Sequence, residues 1–193
     1  MSDSNTEDTW AYCRTDDSCE IAYHHLANQD TDPFLFLGKV VDQGHPQWKR
    51  YRKLLRRYPD VVSCLVESEH EKEEPNLLKL DWEEVGTGSG AEVCVFRIAR
   101  SLSSLDKITA WLEYHSFRVG SYDRYRSEKF IPRWETQPVS NMGAYWSLDQ
   151  YREKNPSLIV ALTGIDLIQG YELILGFSEN GQVVGASSVT PTK

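Results

Sequence analysis

The chain predicts an α+β fold with a mostly antiparallel sheet, and three observations lead there. Strand-like runs outnumber helical ones and crowd toward the C-terminus, where Glu179-Asn180-Gly181 stands between two of them as a hairpin turn. Only two long stretches carry a helical period, at 46–58 and 104–115. Helices this few and this unevenly placed cannot cover both faces of a parallel sheet, which excludes a doubly wound α/β architecture.

In chain order, residues 1–9 read as a flexible acidic tail and 10–193 as a single α+β domain, with 34–119 and 120–193 as its natural subdivision. Phe34 to Val41 reads as a strand stopped by Gln43-Gly44. Pro46 suits the first turn of a helix in which Trp48, Tyr51, Leu55 and Tyr58 recur at three and four residues, ended by Pro59. Val61–Val66, Leu77–Trp82 and Ala91–Ala99 read as strands, the last two joined by the glycine loop Gly86-x-Gly88-x-Gly90. Ser103-Ser104 caps a helix through Ile108, Trp111 and Leu112, and Phe117–Val119 restarts an extended segment. With two main helices, 34–119 fits an elaborated βαββαβ core.

From Gly120 to Trp146 the period degrades into alternating aromatic and basic residues broken by Pro132 and Pro138. A short helix from Ser147 to Lys154 follows. Three strands, at Leu158–Leu162, Tyr171–Phe177 and Val183–Ala186, make a C-terminal β region.

The cysteines number four: Cys13, Cys19, Cys64 and Cys94. Cys64 and Cys94 lie in apolar runs, where a free thiol is a small core hydrophobe, and the spacing is not that of a disulfide scaffold. Cys13 and Cys19 with His24 and His25 offer metal-ligating atoms, but their spacing fits no compact zinc pattern, so free thiols, no metal and no cofactor are expected. Met1 to Asp8 carries neither a positive n-region nor an apolar h-region, which reads as a cytoplasmic protein. No apolar run approaches the roughly 20 residues of a membrane span.

Charge is the most uneven property of the chain. The formal net charge is -8, yet between His45 and Pro59 every charged residue is basic: Lys49, Arg50, Arg52, Lys53, Arg56 and Arg57. After Asp60 come Glu67, Glu69, Glu71, Glu73 and Glu74, offset by Lys72 alone. Segregation of this kind gives a two-poled field, a basis for reasoning about partners.

The reading that follows is an acidic intracellular module that binds or inhibits a protein partner, of the general physical profile of immunity proteins and phage inhibitors. Glu69, Glu71, Glu73 and Glu74 would steer the partner in. Tyr122, Tyr125, Arg126, Trp134, Tyr145 and Trp146 would supply the buried anchors, being of residue types enriched at hot spots. Two rivals stand beside it. One is a small enzyme or anion-binding domain with a pocket near Arg97, Arg100 and His115. The other is a nucleic-acid binder using the basic helix at 46–58, which the acidic balance of the chain opposes.

Catalytic motifs are absent from the sequence. Glu113 and His115 are two residues apart and point in different directions on a helix. No H-E-x-x-H, G-x-S-x-G or C-x-x-C occurs. The glycine loop lacks the Gly-Lys-Ser/Thr of a phosphate cradle and is read as a flexible connection.

Overall fold

The structure, a computed structural model, describes residues 18–121, 140–154 and 168–191. The tail at 1–9, Cys13, the segment from Tyr122 to Trp134 and the expected strand at 158–162 lie outside them. Within them the fold is α+β, with one four-stranded and one two-stranded sheet, both antiparallel.

The N-terminal half is more helical than the sequence suggests. Its first sheet is a hairpin of β1 (Leu35–Phe36) and β2 (Lys39–Val40). Leu37 and Gly38 turn between them at φ 50° and 86°, the doubly left-handed turn that suits a two-residue hairpin. The expected single strand over 34–41 is therefore two short arms. Helix α1 (Trp48–Arg57) forms as its period demands, with Tyr51 and Leu55 buried and every one of its six basic residues exposed.

Val61–Val66 and Leu77–Trp82 are not strands. Asp60 captures the Ser63 backbone N–H on its side chain at 2.8 Å, coiling Val62–Cys64 into a 3₁₀ turn. All that remains of the two expected strands is an isolated bridge between Leu65 and Leu80. Asp81 then accepts from Glu84 N–H at 2.9 Å and starts the one-turn helix α2 (Trp82–Val85).

The largest correction concerns Ala91–Ala99. It is the middle of α3 (Ser89–Leu102), the longest described helix, with Val93, Cys94, Val95, Phe96 and Ile98 all at 1% exposure or less. An element buried on every side, its Glu92 and Arg97 included, has no exposed polar face to mark a period, so its pattern cannot distinguish helix from strand. Its length decides the matter. The glycine loop thus leads into a helix: a Cβ on Gly90 would lie 2.3 Å from the Val85 carbonyl oxygen, so only glycine lets α3 begin against the end of α2. Between 35 and 121 the order is ββααααβ rather than βαββαβ.

Helix α4 (Leu105–Tyr114) and strand β3 (Arg118–Ser121) stand where expected. The sheet continues through β4 (Ser140–Ser147), α5 (Leu148–Lys154), β5 (Gly170–Phe177) and β6 (Val183–Val189), in spatial order β3-β4-β5-β6. Strand β4 lies in the stretch read as irregular. The β5–β6 turn closes as the Asn-Gly signal predicts: Ser178 N–H reaches the Gln182 carbonyl at 2.9 Å and Gly181 takes φ 70°.

The core lies between this sheet and α3. Its tryptophans each place the indole N–H on an acceptor: Trp111 on Leu77 O at 2.7 Å, Trp146 on His115 O at 2.8 Å and Trp82 on His115 Nδ1 at 3.0 Å. The cysteines are a second correction. Cys64 and Cys94 form a disulfide between the 3₁₀ turn and the middle of α3, and Cys19 is disulfide-bonded as well, so no described cysteine is a free thiol. No described helix is long and apolar enough to cross a membrane.

Candidate functional site

Among the described elements helix α1 carries the most exposed charge, and its surroundings decide which of those charges are available. The inner face is fixed by Tyr51 and Leu55, and by Tyr58 just past its end, all buried. Arg50 and Arg57 flank that face and are occupied. Arg50 donates from Nε to Ser89 Oγ at 2.6 Å and from Nη2 to Glu92 Oε2 at 2.9 Å, and its guanidinium lies over the Phe36 and Tyr51 rings. Arg57 pairs with Glu84 and lies over Tyr58.

Lys49, Arg52, Lys53 and Arg56 are left. They stand three, four and seven residues along the helix from Lys49, which stacks them on one face over about 10 Å at 1.5 Å per residue. All four are exposed, and none makes an ion pair among the described residues; Arg56 Nε donates back to the Arg52 carbonyl at 3.2 Å. The result is an exposed cationic stripe on a helix locked from behind.

The lock is Glu92, 1% exposed in the first turn of α3, where a carboxylate also favours the helix dipole. Its Oε2 accepts from Arg50 and from Tyr51 Oη–H at 2.5 Å; its Oε1 accepts from Ser188 N–H at 2.8 Å and Ser188 Oγ–H at 2.9 Å. Desolvation, then the Glu92 charge, pushes the Tyr51 phenol far above its ordinary range, so it is a fixed donor. One acid joins α1, α3 and β6. Sequence reasoning missed it, although a lone glutamate just after Gly-Ser-Gly-Ala is what a helix N-terminus looks like.

The acidic segment is split by burial. Glu69 is 2% exposed and internal: it accepts from Lys72 Nζ at 2.8 Å and Asn76 N–H at 2.9 Å. Burial raises its pKa, but these bonds and the nearby lysines outweigh that and hold it below the usual range. It is not a docking residue. Glu71, Glu73 and Glu74 are exposed, as is Glu67, and no ion pair among the described residues joins any of them to α1.

The aromatic anchors divide as well. Trp146 is 0% exposed, stacked on Phe117 with centroids 4.1 Å apart, and is a core residue rather than an anchor. Tyr145, its neighbour on the strand, points the other way; Arg118 lies over its ring at 5.4 Å and its hydroxyl donates to Gln169 O at 3.3 Å. Tyr122, Tyr125, Arg126 and Trp134 fall outside the described residues.

The anion-pocket reading loses its residues. Arg97 is fully buried, and its N–H groups go to Tyr58 O at 2.9 Å, Gln29 Oε1 at 2.8 Å and Asp32 O at 3.4 Å. Desolvation brings its pKa down to about 10 against the opposing charges of Asp60 and Asp32, which still leaves a cation at neutral pH. Arg100 is held by Asp32 Oδ1 at 2.7–2.8 Å. His115 sits elsewhere, at the end of α4 between Trp111 and Trp82. A cleft of about 250 Å³ between Leu105, Val119, Met142 and Phe177 contains none of the three.

Nor does a metal site assemble. Cys19 is in a disulfide, and no group of three or more His, Cys, Asp or Glu residues suited to a metal occurs among the described residues. His24 and His25 serve a hydrogen-bonded chain instead: their Nδ1 atoms are 3.1 Å apart, and His25 Nε2 reaches the buried Asp32 Oδ2 at 2.8 Å.

Comparison with known proteins finds no matching family, no matching curated protein and no matching solved structure.

Proposed function

We propose that this chain is a protein-docking module that engages its partner through charge, with α1 as the principal contact face. What supports the reading most is the stripe of Lys49, Arg52, Lys53 and Arg56, exposed and without an ion pair among the described residues, on a helix that the Glu92 network holds in place. A helix already fixed in place loses little backbone freedom on binding, so more of the stripe's attraction appears as affinity.

The partner surface is acidic and local. A long polyanion such as nucleic acid would also meet Glu67, Glu71, Glu73 and Glu74 and the net charge of -8 behind them. An acidic patch on a protein can match a stripe of about 10 Å without extending beyond it. The exposed glutamates then set orientation, repelling the partner from the wrong side.

A labelled poly-glutamate peptide and a DNA duplex of similar charge separate these classes. The peptide is expected to bind with marked salt dependence, and Arg52→Glu/Arg56→Glu to weaken it by about tenfold, since each reversal replaces an attraction of roughly 0.2–1 kcal/mol with a repulsion. Equal peptide binding by both forms would remove α1 from the interface. Tighter, stripe-dependent retention of the duplex would replace protein docking with nucleic-acid binding.

A further inference from the structure

The stripe on α1 has a complement on the same chain. Starting with the 3₁₀ turn at Glu67–Glu69, the segment 67–74 exposes Glu67, Glu71, Glu73 and Glu74, four carboxylates against the four cations of the stripe. Among the described residues neither set forms an ion pair with the other: the ion pairs of α1 go to Glu84 and Glu92, and Lys72 goes to Glu69. Any solution of this protein therefore holds both halves of a charge-complementary pair at equal concentration.

We propose that the α1 stripe of one copy seats on the 67–74 segment of a second copy. The inference rests on α1 being a docking face and names its partner as this chain itself. The two patches differ, so the contact is heterologous, and each added copy leaves one stripe and one acidic segment open for the next. Overall repulsion between copies of charge -8 opposes the contact at long range. At about 0.1 M salt that repulsion is screened beyond roughly 10 Å, while directly apposed charges still attract. Association thus peaks at intermediate salt and falls on either side, a signature that apolar self-association does not share.

The test is charge exchange followed by light scattering or sedimentation over a concentration series at about 0.1 M salt. A stripe-reversed form, Arg52→Glu/Arg56→Glu, and an acid-reversed form, Glu71→Lys/Glu73→Lys/Glu74→Lys, are each expected to be monomeric where the unmodified chain associates. Mixed together, they regain association, because each now presents the charge the other lacks. Arg152→Glu/Lys154→Glu, on the exposed face of α5, makes the same change in net charge as the stripe reversal and should lower association at least tenfold less.

An unmodified chain that stays monomeric at high concentration would overturn the inference, as would a mixture no more associated than its components. So would equal losses from the α1 and α5 reversals. If the stripe-reversed form loses poly-glutamate binding while the unmodified chain never self-associates, the docking face stands and only its assignment to a second copy falls. Loss of neither removes both.

Discussion

The disulfide between Cys64 and Cys94 gives the sharpest prediction about stability. It joins residues 30 apart in sequence, closing a loop that holds the acidic segment, with its 3₁₀ turn at Glu67–Glu69, and α2. In the chain-entropy account, a cross-link over a loop of that length removes about 3.6 kcal/mol of unfolded-state freedom at 25 °C. Cys64→Ala/Cys94→Ala restores that freedom and leaves two small apolar side chains in the core, with the lost sulfur contacts adding to the cost. The expected loss is about 3.5–5 kcal/mol, a large part of the roughly 5–15 kcal/mol that holds a domain together. For a chain of this size it corresponds to a fall in Tm on the order of 7–15 °C. Urea unfolding supplies a second readout, because an uncrosslinked chain exposes more surface when unfolded and the m-value should rise. The unmodified protein, denatured without reductant, should resist alkylation at both positions. Ready alkylation there, together with a stability difference under about 1 kcal/mol, would refute the reasoning.

Three further outcomes follow from the same structure. Glu92→Ala leaves the buried Tyr51 hydroxyl and Ser188 N–H without their acceptor and should cost about 3–5 kcal/mol in denaturant unfolding; a loss under about 1 kcal/mol would show that α1 is held by its apolar face alone. Trp146→Ala should cost about 3–5 kcal/mol while leaving poly-glutamate affinity unchanged in the folded fraction, and weaker binding at unchanged stability would return Trp146 to the interface. Asp32 predicts an acid limb: burial raises its pKa, but hydrogen bonds from His25, Arg100 and Thr31 and the Arg100 charge outweigh this and lower it in the folded state. Its contribution is therefore complete above the unfolded value of about 3.9 and is lost as pH falls through the lower folded value. Asp32→Asn should flatten stability against pH in that acid window, measured by urea midpoints; parallel curves for the two proteins would exclude the role.

What was legible in the sequence and what was not divide along a physical line. The helices at 48–57 and 105–114 each have a buried and an exposed side, so their period identifies them, and the Asn-Gly hairpin, buried all along β5, is identified by its turn chemistry instead. Ala91–Ala99 has no exposed side, and its β-branched valines look like strand when they are simply core. Val61–Val66 failed for a different reason: Asp60 and Ser63 offer the backbone local hydrogen bonds that compete with a ladder. The cysteine pairing depended on that misreading. With Cys64 and Cys94 placed on separate strands, nothing in a 30-residue spacing brought them together.

The candidate site shows the same division, with a consequence for which functional readings persist. An excess of charge survives errors in the fold, because burying an unpaired cation is so costly that α1 had to present its basic side to solvent wherever it packed. Aromatic residues carry no such constraint; the types that anchor interfaces also build cores. Along β4 they alternate, Ala144 and Trp146 inward and Tyr145 toward Arg118, so a composition-level reading of that segment was bound to mix anchor with core. Glu69 marks where the charge rule itself yields: a carboxylate with a lysine and a backbone N–H to satisfy it can be buried within a run of exposed glutamates. The stripe at 49, 52, 53 and 56 meets the stricter condition, since among the described residues its cations have no carboxylate partner and the two arginines beside them do. That difference between neighbours on one helix, rather than the basic run as a whole, is what singles out a face for docking.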